Sequence, residues 1–255
     1  MIPKIIHYCW FGRNPLPELA QKCIASWRKF LPDYEIKEWN EDNFDVNMIP
    51  YTAEAYKAKK YAFVSDYARF WILYKHGGLY FDTDVEVIKP MDDIIARGPF
   101  MGCENILEQS TSEIAVAPGL GLGASPNLPI YKEILNFYEG LIFSVSDVEN
   151  FSMGTVVTIT SKILNMYGLS NSDNIQNVRG INIYPPEYFC PFNYNTGLMH
   201  ITSNTKSIHH YDASWLPKSR RFKDKIKRKL HPWHMDKLCS NVYHLLTLQL
   251  GYFKK

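Results

Sequence analysis

The chain has 255 residues, a net charge of +2, 46% apolar residues and 15% aromatic ones. This length and apolar content suit one large α/β domain or two small ones and exclude a disordered chain. Five scattered cysteines with no C-x-x-C pair argue against a disulfide framework or a cysteine zinc site, and fit a reducing cytosol.

Ile2–Trp10 is a short apolar run ended by Phe11-Gly12-Arg13-Asn14-Pro15, which predicts a buried first strand. It is too short, and too soon broken by His7, for a signal peptide. No apolar run approaches the roughly 20 residues of a membrane span. Pro17–Phe30 predicts a helix with Leu19, Cys23, Ile24, Trp27 and Phe30 on one face. Tyr34–Trp39 reads as the second strand and Thr52–Tyr61 as a helix. Ser65 is placed to cap the next helix, which stops at Gly77. Leu79–Ile88 predicts one strand ended by Pro90. Glu113–Ala117 reads as a strand, 118–123 as a Gly-rich loop, Pro129–Tyr138 as a helix and Val178–Pro185 as a strand. Alternating strand and helix signals predict an α/β fold with a mostly parallel central sheet. Residues 1–215 are expected to form the main domain, and 216–255 a basic, amphipathic helical tail that includes Trp233–Phe253.

The densest chemistry lies in SDYARFWILYKHGGLYFDTD, residues 65–84. In an extended chain Asp82 and Asp84 point the same way, roughly 7 Å apart. Two such carboxylates repel unless a cation lies beside them. Hard oxygen ligands suit Mg²⁺ or Mn²⁺, and such sites commonly also take a phosphate-bearing substrate. The plainer alternative is a solvated strand edge with Glu86 as a third acid. Asp66 and Arg69 share a helix face, either as a surface ion pair or as groups that hold a sugar. Trp10, at the end of the first strand, either stacks on a nucleobase or packs in the core. His209-His210-Tyr211-Asp212-Ala213-Ser214-Trp215 offers imidazole for a metal and an indole for a sugar face. Pro118–Gly123 lacks the Gly-Lys-Ser/Thr ending of a phosphate loop.

Charge is uneven along the chain. Lys218–Lys229 holds eight basic residues against Asp224, a local +7 that leaves −5 elsewhere. That run suits either an anionic membrane surface or the solvated face of a docked helix. Basic residues gathered at one end, with no accompanying motif, argue against a nucleic-acid partner.

IPKIIHYCWFG at 2–12, SDYARFWILYKHGGLYFDTDVEVIKP at 65–90 and HHYDASW at 209–215 together make the chain similar to glycosyltransferase family 32. It resembles the glucosylating domain of large clostridial toxins more distantly. The resemblance implies a GT-A-like, nucleotide-sugar-binding α/β domain acting with retention. It implies that Trp10 stacks on the donor base and that Asp66 and Arg69 hold the donor sugar. Tyr80 and Asp82 join the donor-binding set, and Asp82 reaches the ribose or the metal. Asp84 and His210 ligate Mn²⁺ or Mg²⁺, with Trp215 near the diphosphate. The toxin pattern has a metal-binding hydroxyl at the position of Ala213, so here the contact is missing or is supplied by Ser214 or water. The implied reaction moves a hexose from a nucleotide sugar, UDP-hexose or GDP-mannose, to a saccharide or lipid-linked acceptor in polysaccharide assembly. Its expected place is the cytoplasm or the inner membrane face. A metal-dependent nucleotide-diphosphate phosphohydrolase and a non-catalytic carbohydrate-binding protein are the rival readings.

Overall fold

Eight strands form one mixed sheet in the order β2-β1-β3-β7-β5-β9-β8, with β6 also paired to β5. The strands are β1 (Ile5–Cys9), β2 (Glu35–Trp39), β3 (Gly78–Tyr80), β5 (Phe100–Glu104), β6 (Ala115–Val116), β7 (Leu122–Ala124), β8 (Gln176–Val178) and β9 (Ile181–Tyr184). Pairings put β2, β1, β3, β5 and β9 in one direction and β6, β7 and β8 in the other. The protein is therefore mixed α/β with a mostly parallel central sheet. A second sheet pairs β4 (Val85–Val87) antiparallel with β10 (Ser207–His209). The structure is a computed structural model and describes residues 1–104, 114–145, 154–194, 197–212 and 218–230.

Alternation along the strands splits the core between the two sheet faces. Ile6, Tyr8 and Leu79 face α1 (Glu18–Phe30) and α4 (Asp92–Ile95). Cys9 and Tyr80 face α2 (Pro50–Lys57), α3 (Tyr61–His76), α5 (Pro129–Glu139) and α6 (Val156–Asn165). Ala20, Cys23, Ile24 and Trp27 make the buried face of α1, which starts just after Pro17. Trp27 Nε1 donates to the Val85 carbonyl at 2.8 Å, so α1 braces the chain just past the Asp82–Asp84 pair.

Helix α3 starts four residues before Ser65, so Ser65 is interior and not a cap. Its hydroxyl donates back to the Tyr61 carbonyl at 3.2 Å. Ten consecutive or near-consecutive residues of α3 are buried, the mark of a helix enclosed on most sides. The helix ends at Gly77 (φ +65°), and Gly78 follows at φ +99°. A Cβ on Gly78 would lie 2.6 Å from the Ile5 carbonyl, so β1 and β3 pair this closely only with glycine there.

Leu79–Ile88 is not one strand. β3 ends at Tyr80, the chain turns through Thr83 and Asp84, and β4 leaves for the small sheet. The Asp82 carbonyl accepts from Val85 N at 3.0 Å across that turn, while Asp82 N donates to Gly119 O at 3.1 Å. Val178–Pro185 likewise divides, with β8 and β9 joined through Arg179 and Gly180.

His7 lies 1% exposed in β1. Trp39 Nε1 donates to its Nδ1 at 3.0 Å, so Nε2 carries the proton and meets Gly77 O at 3.0 Å. Burial lowers its pKa to about 4. The unfolded chain binds the proton first as pH falls, so stability drains away from about pH 6.5 down to about 4. The full loss is about 3 kcal/mol. Thermal melts should show the midpoint falling across that window, and His7→Gln should flatten that part of the profile. An unchanged slope in His7→Gln would remove His7 as the cause.

Candidate active site

The site forms where the chain passes from the central sheet into the small one. Asp82 and Asp84 flank the turn, and β10 brings His209 against Val85. Ligand atoms of Asp82, Asp84 and His209 all lie within 4.8 Å of one another. His209 Nε2 stands 3.1 Å from Asp84 Oδ1, and the other carboxylate oxygen accepts from Asp212 N at 2.9 Å. Burial pushes the Asp84 carboxyl up, but His209 and the Asp212 amide outweigh it and bring the pKa to about 2. Asp84 is thus an anion at any physiological pH. Two carboxylates and an imidazole this close offer a divalent cation two hard oxygens and one borderline nitrogen.

Behind Asp82 stands Arg69, 3% exposed. Its Nη2 lies 2.9 Å from Asp66 Oδ1 and 3.3 Å from Asp82 Oδ1, and its Nε donates to Ser65 O at 3.1 Å. The Asp82 and Asp66 charges hold Arg69 protonated despite its burial. Burial pushes the Asp66 carboxyl up to about 7, against the pull of Arg69. Tyr80 completes the wall: its hydroxyl donates to Asp82 Oδ1 at 3.0 Å, and the guanidinium lies 5.1 Å above its ring. The Gly-rich loop closes the other side. A Cβ on Gly119 would collide with Asp82 Oδ2, so only glycine leaves room for that carboxylate.

The structure therefore brings Asp66, Arg69, Tyr80, Asp82 and Asp84 together. It brings His209, not His210, to the acid pair. Adjacent residues at a strand end project to opposite sides, and His210 Nε2 instead meets Glu86 Oε2 at 2.8 Å. Lys22 Nζ binds the same Glu86 oxygen at 2.9 Å, so Glu86 is occupied away from the pair. Trp10 is half-buried, and its Nε1 donates to Asn14 O at 2.6 Å. Trp215 lies outside the described residues. Sequence reasoning missed Glu104 and its contact with Tyr211, which crosses 107 positions.

An acidic pair and an imidazole thus meet just past the end of β3, an interior strand of the central sheet. Residues 17–101 match the family described as "Glycosyltransferase sugar-binding region containing DXD motif". A protein named as an uncharacterized glycosyltransferase of Acanthamoeba polyphaga mimivirus is 28% identical over 225 residues, 85% of each chain. Inositol phosphoceramide mannosyltransferase 1 of Schizosaccharomyces pombe is 30% identical over 111 residues, 39% of this chain and 33% of the yeast protein. The solved PaToxG glycosyltransferase superposes with a TM-score of 0.46 at 20% identity, over 65% of this chain and 69% of that one. The sugar-binding region matched at 17–101 and the relatives named as glycosyltransferases and mannosyltransferases identify the chain as a glycosyltransferase.

Proposed function

We propose that this chain transfers a hexose, with retention, from a nucleotide sugar to a saccharide or glycolipid acceptor in polysaccharide assembly. The observation that carries the reading is the convergence of Asp82, Asp84 and His209. Asp82, Asp84 and His209 would hold a divalent ion, which would supply charge neutralisation to a departing diphosphate. Asp84, fixed by His209 and Asp212, holds its carboxylate in place before substrate arrives. Arg69 keeps Asp66 and Asp82 at set positions, and Asp66 accepts hydrogen bonds from sugar hydroxyls at the site's inner wall. No side chain is assigned as an enzymic nucleophile, so attack by the acceptor on the same face of the sugar is the retaining route. Trp10 and Trp215 are the proposed covers for base and diphosphate. UDP-hexose is the favoured donor. GDP-mannose is the second, supported by the mannosyltransferase names among the relatives.

A panel of UDP-hexoses and GDP-mannose, each with Mn²⁺, tests this by thermal shift and by product analysis. One nucleotide sugar should raise the midpoint in a Mn²⁺-dependent way, and a glycosylated product should form only with acceptor present. Nucleotide release at an equal rate without acceptor would favour the phosphohydrolase. Binding indifferent to EDTA would favour the carbohydrate-binding protein.

The same reading puts the enzyme at an anionic membrane face. No described helix is long and apolar enough to cross a bilayer. Helix α7 (Lys218–Leu230) touches the domain through Asp224, which accepts from Tyr194 Oη at 2.7 Å, and Arg228, 4.5 Å over the Tyr194 ring. Its Arg220, Phe222, Lys225 and Lys227 are exposed, as are Leu198, Met199 and Ile201 nearby in sequence to Gly197, which Arg228 contacts. Exposed basic side chains beside an exposed Phe222 on this helix favour anionic lipid. The protein should pellet with anionic vesicles and not with neutral ones. Equal pelleting with both would remove the membrane role.

A further inference from the structure

Segment 209–212 does more than supply one imidazole. Tyr211 sits at φ +51°, a left-handed backbone conformation that a non-glycine residue holds only when its surroundings enforce it. What enforces it is a buried grip on the side chain. The Tyr211 hydroxyl donates to Glu104 Oε2 at 3.0 Å and lies 3.0 Å from Cys190 Sγ. Glu104 is 9% exposed, at the end of β5, and Cys190 is fully buried.

Two consequences reach the acid pair. The left-handed turn at Tyr211 aims the Asp212 N–H at Asp84 Oδ2 (2.9 Å), while His210 N–H donates to the Asp84 carbonyl at 3.0 Å. The Tyr211 ring also lies 4.0 Å from the His209 ring, centroid to centroid. A metal-binding histidine is usually oriented by a hydrogen bond from its second nitrogen. His209 Nδ1 is buried and has no such partner among the described residues. The Tyr211 ring is therefore what sets the plane of the imidazole.

We infer that Tyr211, anchored by Glu104 and Cys190, is a positioning residue that presents His209 and Asp84 to a divalent cation. The inference rests on the metal reading of the Asp82–Asp84–His209 cluster. Its residues touch neither donor nor acceptor in the argument above. They act through the two ligands. Tyr211→Phe keeps the ring and the fold but frees it from Glu104. Glu104→Gln keeps an oxygen that accepts from the tyrosine while removing a charge.

Mn²⁺ titrations followed by electron paramagnetic resonance, which reads free Mn²⁺ directly, separate the possibilities in the full chain without substrate. Wild type should bind Mn²⁺ and Asp84→Ala should not. Tyr211→Phe should bind about ten-fold or more weakly, in the range seen when the support of a metal ligand is lost. Glu104→Gln should stay close to wild type, with unchanged circular dichroism in both variants. Wild-type Mn²⁺ affinity in Tyr211→Phe would overturn the positioning role while leaving the metal reading intact. So would weak binding in Glu104→Gln with normal binding in Tyr211→Phe, since that pattern means charge alone matters. No Mn²⁺ binding by wild type would overturn both.

Discussion

Asp84→Ala should abolish sugar transfer while the protein stays folded. Asp84 is held on both carboxylate oxygens, by His209 at Oδ1 and by the Asp212 amide at Oδ2. Its low pKa shows how firmly these neighbours favour the anion. Without Asp84 the site would lose a ligand of the cation that balances the leaving group's charge, and such a loss costs several kcal/mol of transition-state stabilisation. At 1.36 kcal/mol per tenfold, the rate should fall about a thousand-fold or more. The folding cost is smaller, about 1–2 kcal/mol, because two hydrogen bonds are lost but repulsion from Asp82 is relieved. Steady-state kinetics beside a thermal melt separate the two effects. An Asp84→Ala enzyme that still transfers sugar and still responds to Mn²⁺ would refute the assignment.

Arg69→Leu should be the most destabilising single change at the site. The guanidinium is enclosed and serves Asp66, Asp82 and the Ser65 carbonyl at once. Its removal strands two acids, and breaking such a buried pair costs about 3–5 kcal/mol. The cost should depend on pH. Burial already lifts Asp66 to about 7 in the folded chain, above its unfolded value. An acid with a raised folded pKa favours folding when protonated, so stability declines as pH rises through that range. Without Arg69 the rise in pKa is larger, and the variant should lose more stability than wild type between about pH 5 and pH 8. Asp66→Asn in the Arg69→Leu background should recover part of the loss, by removing one unpaired charge. Urea melts at both pH values read this directly. An Arg69→Leu protein as stable as wild type at pH 8 would mean that the three groups are not coupled.

Much of the wall of the site was legible in residues 65–84. Asp66 and Arg69 share a helix face by spacing alone, and Gly77 stops that helix as expected. The alternation of strand and helix signals also carried the sheet class. What sequence could not show depended on long-range pairing. LYFDTDVEVI reads as one extended run, yet Asp82 binds the Gly119 carbonyl and the chain turns, because β4 pairs with β10 from 120 positions later. That same register decides between His209 and His210, two residues with identical chemistry. Ser65 looked like a cap because its type favours one, but buried Phe63 and Val64 extend the helix upstream through packing. Glu104 gave no signal, since it belongs to no local pattern and only the fold brings it to Tyr211, a residue of the 209–215 motif that was read for its histidines and tryptophan. The Gly-rich loop carries no phosphate-loop motif in sequence, and only the fold shows that Gly119 leaves room for the Asp82 carboxylate.

The central claim is that one divalent cation sits between Asp82, Asp84 and His209 and carries the donor's diphosphate. Anomalous diffraction at the manganese edge, from crystals grown with Mn²⁺ and UDP or GDP, tests it most directly. The account predicts a single strong peak within bonding distance of Asp84 and His209, with phosphate oxygens completing the coordination. A peak on Glu86 and His210 instead, or nucleotide bound with no peak at the acid pair, would contradict it.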